Sequence, residues 1–307
     1  MECLKGVGLG PLAAGAVGLL VLLRMIQKAR GQQIVQDKVV VITGASSGLG
    51  KECARVFHAA GARLILCGRD QTRLQELVEE LKTLTNSETK THTPCMVTFD
   101  LSDMDRVTKA AEDILKCHGH VDILINNAGI SFRGSILETH ISVQRNVMET
   151  NYFGPIALTQ AILPFLVKRG SGHIVVISSV QGKIAIPYRS AYAASKHATQ
   201  AYFDCLRAEV ERFGLHVSVV SPGYIKTNLS VNAVTGTGSK YGVMDKTTEA
   251  GSDPVDVAHA VLKAVTHRQK DVLLAGLLPT LAVYLRTLWP SVFFKLMASR
   301  SKKEKKD

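Results

Sequence analysis

The chain has 307 residues, 46% of them apolar, and a formal net charge of +11. Residues 1–38 contribute +3 and residues 295–307 contribute +4, so the long central part carries only +4. Because the excess charge lies at the ends and no nucleic-acid-binding motif is present, we expect no nucleic-acid partner; the basic ends suit either anionic lipid headgroups or solvent. No metal site is predicted, because the cysteines lack metal-ligand spacing; they are Cys3, Cys53, Cys67, Cys95, Cys117 and Cys205.

A short N-terminal end, residues 1–5, precedes an uncharged apolar segment over residues 6–23. Eighteen helical residues extend about 27 Å, close to the ~30 Å hydrocarbon thickness of a bilayer. We predict a single-pass transmembrane signal anchor here, followed by a basic linker over residues 24–36. A cleavable signal peptide is the main alternative, but its apolar core is shorter and ends at small residues. A buried core helix is less favoured, because the segment precedes the first strand.

The charges around this segment predict its orientation. Lys5 precedes it, whereas Arg24, Lys28 and Arg30 follow it closely, which favours a cytosolic location for the residues after the segment. The last residues, Lys303-Glu304-Lys305-Lys306-Asp307, resemble a Lys-x-Lys-x-x retrieval signal. We therefore expect the endoplasmic reticulum membrane, with the peroxisomal membrane as an alternative, and a luminal location of the residues after the anchor is left open.

The first strand of the central part is the apolar run 39–43, which leads into a glycine-rich turn and then a helix over 52–60. Gly44 permits a tight turn, Gly48 lets backbone N–H groups approach a pyrophosphate, and Gly50 lets the helix pack on the strand. A purely structural turn is the alternative. The residues expected to hold the phosphates are Gly44, Ser46, Ser47, Gly48, Leu49 and Gly50.

The end of the second strand, residues 63–67, bears on cofactor choice. An acidic residue there would bind the ribose 2′-hydroxyl of NAD, whereas Arg69 suits the 2′-phosphate of NADP. Asp70 follows one position late and is interpreted as the N-cap of the next helix. The sequence therefore favours NADP(H), with NAD(H) as the alternative.

Tyr192 and Lys196 are four residues apart, which places them on one face of a predicted helix. A nearby ammonium lowers the pKa of a phenol from about 10 toward the range in which it exchanges protons at neutral pH. The pair therefore suggests carbonyl/alcohol redox chemistry, although the same spacing is common on amphipathic helices.

Further apolar strands are predicted near 95–99, 121–126, 173–178, 215–221 and 271–275, alternating with helices. This alternation predicts an α/β fold, a doubly wound Rossmann-type parallel sheet with strand order 3-2-1-4-5-6-7, as one catalytic domain over residues 37–275.

Thr43 to Gly50, Asn126-Asn127-Ala128-Gly129, Ser179 and Tyr192 to Lys196 stand in the order of the short-chain dehydrogenase/reductases, which the chain resembles from about residue 37 to 270. The resemblance implies that Tyr192 is the general acid/base and that Lys196 anchors the ribose and modulates the tyrosine. It further implies that Ser179 orients the substrate carbonyl and that Asn151 holds a proton-relay water.

The same resemblance implies further cofactor contacts and a homodimer. The dimer would use a four-helix interface formed by helices near 140–168 and 189–213. The implied contacts are Asp100 and Leu101 to the adenine, Asn127 and Ala128 at the fourth strand, and Thr227 at the nicotinamide carboxamide.

Two segments in the C-terminal part of the chain are predicted to border the substrate site. The Gly-, Thr- and Ser-rich stretch at about 228–251 is interpreted as a mobile lid, with a disordered loop as the alternative. Residues 276–307 are predicted to form apolar C-terminal helices and a basic tail. These helices could cover the cleft, lie in a membrane interface, pack between subunits or simply complete the core.

Together these features predict a membrane-anchored oxidoreductase that transfers a hydride between NADP(H) and a lipophilic ketone or secondary alcohol. Steroids, retinoids and lipid-linked ketones such as acyl- or alkyl-dihydroxyacetone phosphate are the substrate classes considered. A non-catalytic nicotinamide-cofactor scaffold or sensor at a membrane is the alternative hypothesis.

Overall fold

The computed structural model of the protein describes residues 34–84 and 89–304. Its centre is a sheet of seven parallel strands in the order β3-β2-β1-β4-β6-β7-β9, and a second, two-stranded parallel sheet pairs β5 with β8. The strands are β1 Val39–Thr43, β2 Arg63–Gly68, β3 Cys95–Thr98, β4 Ile123–Asn126, β5 Phe132–Arg133, β6 Gly172–Ile177, β7 Leu215–Pro222, β8 Val234–Thr235 and β9 Asp271–Leu274.

Helices connect these strands, and one of them begins with a wider turn of π-helix, Glu149–Phe153. The α-helices are α1 Gly48–Ala59, α2 Gln71–Thr83, α3 Met104–His118, α4 Ile141–Met148, α5 Gly154–Arg169, α6 Ser190–Val210, α7 Lys246–Glu249, α8 Pro254–Thr266, α9 Leu277–Leu288 and α10 Pro290–Glu304. Short 3-10 turns occur at Ile136–Glu138, Val180–Gly182 and Glu211–Phe213.

The main sheet is buried on both faces, which explains the continuous apolar runs of its strands. In β1, Val40 and Ile42 pack in one core cluster with α1, α2 and α8, whereas Val39 and Val41 pack in another with α3, α5 and α6. All four side chains are fully buried. The helices on both faces leave the carboxyl ends of the strands accessible, which is where open α/β sheets bind ligands.

The predicted fold class and the order of the seven main strands are confirmed. One boundary differs, because the first helix begins at Gly48 rather than at residue 52, so the second and third glycines belong to its first turn. The helical regions predicted near 140–168 and 189–213 are present as α4–α5 and α6.

The predicted anchor, residues 6–23, and the basic linker up to residue 33 lie outside the described residues. Within residues 34–84 and 89–304, no helix combines the length and the apolar composition that a membrane span requires. The predicted domain limits stay predictions.

Candidate active site

A cleft of about 850 Å³ opens at the carboxyl ends of β1, β2, β4, β6 and β7. Most residues predicted for the site line it: Gly44, Ser46, Ser47, Gly48, Leu49, Arg69, Asp100, Leu101, Asn127, Ala128, Ser179, Tyr192, Lys196 and Thr227. Gly50 and Asn151 do not line the cleft, but each contacts a residue that does: Gly50 packs against Gly44, and Asn151 hydrogen-bonds to Ile130.

The glycine turn forms one end of the cleft. Gly44 and Gly48 have φ angles of +67° and +53°, a backbone conformation that favours glycine. At Gly50 a Cβ atom would lie 2.2 Å from the carbonyl oxygen of Gly44. The first helical turn can therefore approach the end of β1 only because residue 50 has no side chain.

The N-terminus of α1 faces this end of the cleft. Its N-cap, Ser47, makes no side-chain hydrogen bond to the helix, and the first turn contains no acidic residue. The first N–H groups of a helix and its dipole attract anions. The glycine cradle and this helix end together fit a dinucleotide pyrophosphate.

The loop after β4 is fastened to the end of β1 by Thr43. The Thr43 hydroxyl accepts hydrogen bonds from the backbone N–H groups of Asn127 at 3.0 Å and Ala128 at 3.1 Å. The Asn127 amide in turn donates to the Thr43 carbonyl at 2.9 Å. The side chain of Asn127 thus holds two strand ends together, a role that the sequence did not reveal.

Two guanidinium groups line the far end of the cleft, at the end of β2. Arg69 lies 3.4 Å from the Asp100 carboxylate, and Arg73 lies 3.3 Å from Asp70. Asp70 is the N-cap of α2, as predicted, since its side chain accepts a hydrogen bond from the Arg73 N–H. Sequence reasoning missed Arg73 as a residue of the site. Its position in the first helical turn after the predicted N-cap Asp70 could have placed it near Arg69.

Asp100 stays ionised at this end of the cleft. Partial burial alone would raise its pKa, but hydrogen bonds from the Ser102 backbone and hydroxyl and the charge of Arg69 outweigh it and lower the pKa. Asp100 is therefore a fixed acceptor that also orients Arg69.

The catalytic tyrosine predicted from the sequence is buried, with 7% of its surface exposed. Burial raises the pKa of the Tyr192 phenol above its ordinary value, and a hydrogen bond with Ser179 and the charge of Arg133 only partly oppose this effect. The predicted lowering of this pKa is therefore wrong for the chain by itself, because desolvation outweighs the nearby charges. A protonated Tyr192 is the form that donates to a carbonyl oxygen.

Lys196 lies on the same face of α6, as the four-residue spacing predicted. Its ammonium is 5.8 Å from the centre of the Tyr192 ring and donates a hydrogen bond to the Ile177 carbonyl at 2.8 Å. Burial lowers the pKa of Lys196 to about 8. The amine is held in place at the end of β6, next to the tyrosine.

Asn151 lies in the π-helical turn and is almost fully buried. Its amide accepts from the Ile130 N–H at 2.8 Å and donates to the Ile130 carbonyl at 2.9 Å and to the Ser195 hydroxyl at 3.0 Å. The Thr199 hydroxyl donates to the Asn151 carbonyl at 3.0 Å. Asn151 therefore joins the loop after β4 to α6, and its relay of protons stays a prediction.

A buried ion cluster that sequence reasoning missed lies beside the tyrosine. The Arg133 guanidinium contacts the Asp245 carboxylate at 2.5 and 2.9 Å, and Arg189 lies 3.6 Å from the same carboxylate. Asp245 belongs to the segment predicted as a lid, and β8 of that segment pairs with β5. No local pattern could reveal this pair, because its members are 112 residues apart.

The predicted lid is an ordered segment that borders the cleft. The Val234 N–H donates to the Ser131 carbonyl at 2.9 Å, and the Tyr241 N–H donates to the Ala233 carbonyl at 2.8 Å. The alternative of a disordered loop is therefore wrong. The movement of the segment stays a prediction.

This arrangement suits hydride transfer at a carbonyl carbon. Ser179 and Tyr192 both line the cleft, and Ser179 is near enough to lower the pKa of the phenol, so both hydroxyl groups can be directed at one substrate oxygen and stabilise its developing charge. Tyr192 gives or takes the proton, and Lys196 adds positive charge beside it. A nicotinamide cofactor bound along the cleft supplies or accepts the hydride. Among the described residues, no group of three His, Cys, Asp or Glu side chains is placed to hold a metal ion.

Comparison with known proteins identifies relatives in sequence and in fold. The family model described as short chain dehydrogenase matches residues 38–237. Dehydrogenase/reductase SDR family member 7B of Danio rerio is 73% identical over 99% of this chain and 98% of its own. The crystal structure of a short-chain dehydrogenase from Streptomyces avermitilis is 30% identical, with a TM-score of 0.69, over 89% of this chain and all of that one.

Two further solved structures contain cofactors. A short chain dehydrogenase/reductase from Burkholderia phymatum in complex with NAD has a TM-score of 0.73 and 24% identity, over 82% of this chain and 94% of its own, which shows the shared fold. A metagenomic short-chain oxidoreductase in complex with NADP has a TM-score of 0.64 and 27% identity, over 78% of this chain and 98% of its own. With its matching motifs, fold and site, the chain belongs to the short-chain dehydrogenase/reductase family of oxidoreductases, which act on CH–OH and C=O groups.

Proposed function

We propose that the protein is a membrane-associated oxidoreductase that uses NADP(H) and acts on a lipophilic ketone or the corresponding secondary alcohol. The observation that carries the proposal is that one cleft has the Ser179, Tyr192 and Lys196 side chains at one end and two arginines at the other. The apolar side chains of Ile130 and Val234, in the cleft wall near Tyr192, support the substrate class.

The preference for NADP(H) is supported by charge. Arg69 and Arg73 line the end of the cleft at β2, where a 2′-phosphate would lie, and the adjacent carboxylates of Asp70 and Asp100 are already engaged with them. We expect Arg69→Ala to raise the KM for NADPH about tenfold, the loss of one charge-assisted hydrogen bond, and to leave the KM for NADH unchanged. Arg63→Ala, at the opposite end of the same strand, is the control.

The lipophilic substrate is supported by the wall of the cleft around the tyrosine. Ile130 and Val234 pack against the cluster that contains Tyr192, and Leu229 and Ala233 of the 228–251 segment also line the cleft. This wall suits steroids, retinoids and lipid-linked ketones alike.

A charged residue on the same segment separates these substrate classes. Lys240 lines the cleft and is exposed, so its ammonium can bind a phosphate on a lipid-linked ketone such as acyl- or alkyl-dihydroxyacetone phosphate. We expect Lys240→Ala to raise KM for a phosphate-bearing ketone and to leave KM for a steroid or retinoid unchanged. An equal effect on all three would argue against a phosphate contact.

The decisive experiment measures NADPH and NADH oxidation by membranes that contain the wild type or Tyr192→Phe, with a panel of lipophilic ketones. Tyr192-dependent oxidation of NADPH with one class of ketone would establish the reaction. Activity that survives Tyr192→Phe would overturn the mechanism. If both forms bind cofactor and neither turns over any ketone or alcohol, the scaffold hypothesis replaces the proposal.

We further propose an endoplasmic reticulum or peroxisomal location with the catalytic domain in the cytosol, and a homodimer. The basic residues after segment 6–23 support the cytosolic orientation. The exposed side chains of Phe153, just before α5, and Phe165, within α5, support a dimer interface on this helix. Protease protection in sealed microsomes tests the first proposal, since a protected catalytic domain would be luminal. Sedimentation of Phe165→Glu tests the second, since a dimer through this face should dissociate.

A further inference from the structure

Helices α9 and α10 form a C-terminal hairpin with two different faces. On the inner face, Phe293 is buried and packs with Val180 and Ile184, in the segment that directly follows Ser179. The partly buried side chains of Val283 and Met297 complete this contact. The hairpin is therefore fastened to the catalytic domain beside its active site.

The outer face of the hairpin is strongly apolar and exposed. Of the 19 large apolar side chains that are exposed among the described residues, nine lie between positions 277 and 296. Four of these side chains form one stripe along α9, because they follow each other at intervals of four, three and four residues: Leu277, Leu281, Tyr284 and Leu288. The outer face consists of Leu277, Leu278, Leu281, Tyr284, Leu288, Trp289, Val292, Phe294 and Leu296, with exposed fractions from 49% to 79%.

Between residues 272 and 303 the charges of the hairpin all have one sign, and its acidic residue, Glu304, is the last residue of α10. Residues 272–303 contain no Asp or Glu, whereas Arg286, Lys295 and Lys302 are exposed among or next to the apolar side chains. The Arg286 guanidinium lies 4.8 Å from the centre of the Phe294 ring, so this cation stays at the level of the apolar face. An apolar face bordered only by cations complements an anionic lipid surface.

A second copy of the chain suits this face poorly. A symmetric dimer would bring the cations of both copies together with no carboxylate from residues 272–303 between them, and like charges oppose association. The two helices have 12 and 15 residues, so they extend about 18 and 22 Å, less than the ~30 Å hydrocarbon core of a bilayer. This geometry is that of a hairpin that lies in the interface.

We propose that the outer face of the C-terminal hairpin binds the surface of an anionic lipid bilayer and holds the mouth of the active-site cleft against it. The same hairpin makes two further contacts with the catalytic domain: the Tyr188 hydroxyl donates to the Ser301 carbonyl at 3.3 Å, and Arg300 donates to the Tyr224 hydroxyl at 3.4 Å. Tyr224 lines the cleft. That the docked cleft takes its substrate from the bilayer rests on the proposed function; the docking itself does not.

Trp289, at the bend between the two helices, is the only tryptophan of the chain and is 62% exposed. Its fluorescence emission therefore reports on this face in the full-length protein, even where segment 6–23 also contributes to membrane binding. We would mix the protein with phosphatidylcholine vesicles, with and without phosphatidylserine, that carry bromine on the acyl chains. Docking predicts a blue shift and quenching of Trp289 by the brominated lipid, stronger with phosphatidylserine.

Variants make the test specific. Leu278→Glu should weaken the vesicle binding that the quenching reports about tenfold, because one leucine side chain is no longer buried in the bilayer. Lys295→Gln should weaken it about fivefold on phosphatidylserine vesicles and have no effect on pure phosphatidylcholine. Leu84→Glu, an equally drastic change at an exposed position after α2, should have no effect. Retained NADPH binding by each variant shows that it is folded.

Three results would overturn the proposal. Vesicle binding without quenching of Trp289 would mean that another segment makes the contact. Emission that depends on protein concentration rather than on lipid would assign the face to a second copy. Emission that is blue-shifted without vesicles and insensitive to bromine would assign it to the chain's own apolar segment, residues 6–23. Because none of these readouts measures turnover, each is distinguishable from failure of the proposed reaction.

Discussion

Replacing Lys196 by methionine should abolish turnover and stabilise the fold at neutral pH. The lysine is 5% exposed, and burial lowers its pKa to about 8 from the ordinary 10.5. A buried ammonium is costly because it loses its hydration, and within the described part of the chain only the Ile177 carbonyl accepts a hydrogen bond from it. Methionine has a similar length and no charge.

The size of the effect follows from the shift in the pKa. The difference between 10.5 and about 8 corresponds to about 3 kcal/mol at 1.36 kcal/mol per pKa unit. Loss of the hydrogen bond to the Ile177 carbonyl offsets about 1 kcal/mol. The variant should therefore gain about 2 kcal/mol in the free energy of unfolding at pH 7, which raises Tm by about 3 °C for a chain of this length.

The gain should depend on pH in a defined direction. Above pH 10.5 the lysine is neutral in both the folded and the unfolded state, so the wild type has no charge to bury. As the pH falls from 10.5 to about 8, the unfolded state binds the proton first and the penalty grows; below about 8 it is complete. The difference in Tm between variant and wild type is thus largest near pH 7 and disappears toward pH 10.5.

Thermal unfolding at pH 7 and pH 10, followed by circular dichroism without added cofactor, measures this difference. Lys109→Met, at an exposed position of α3, is the matched control and should show no such pH dependence. A Lys196→Met variant that is less stable at both pH values, or a gain that does not change with pH, would refute the claim that the wild type buries a costly charge there.

Two further perturbations test the geometry of the site. Gly50→Ala should cost about 3 kcal/mol or more in the free energy of unfolding, because the new Cβ atom would lie 2.2 Å from a backbone carbonyl oxygen that cannot move freely. Gly276→Ala, where a Cβ atom meets nothing within 4 Å, is the control, and equal melting temperatures for the two variants would contradict the packing argument. Asp245→Asn should destabilise the protein by about 3 kcal/mol, because it leaves the buried Arg133 without a countercharge. The same change should expose residues 228–251 to limited proteolysis, and a cleavage pattern identical to the wild type would show that this ion pair does not hold the segment.

The parts of the site that could be predicted from the sequence are those built from local spacing. The glycines at 44, 48 and 50 predict the turn because their lack of a side chain is needed within one strand–helix connection. Tyr192 and Lys196 share a face because a helix turns once every 3.6 residues. Asp70 as an N-cap likewise depends only on its immediate neighbours.

Other features depended on packing between distant parts of the chain. Arg133 and Asp245 meet only because β5 pairs with β8, and Asn151 reaches Ile130 only because a π-helical turn presents it to the loop after β4. Similar apolar residues alternate along the C-terminal hairpin, and only its position on Val180 separates an inner face from an outer one.

Local sequence thus determined which groups could perform the chemistry, because spacing along a helix or turn is a property of the chain itself. Only the tertiary structure decided how those groups are tuned, because burial depends on what packs around them. Tyr192 and Lys196 illustrate both statements: their spacing brought them together, whereas desolvation in the folded protein raised one pKa and lowered the other.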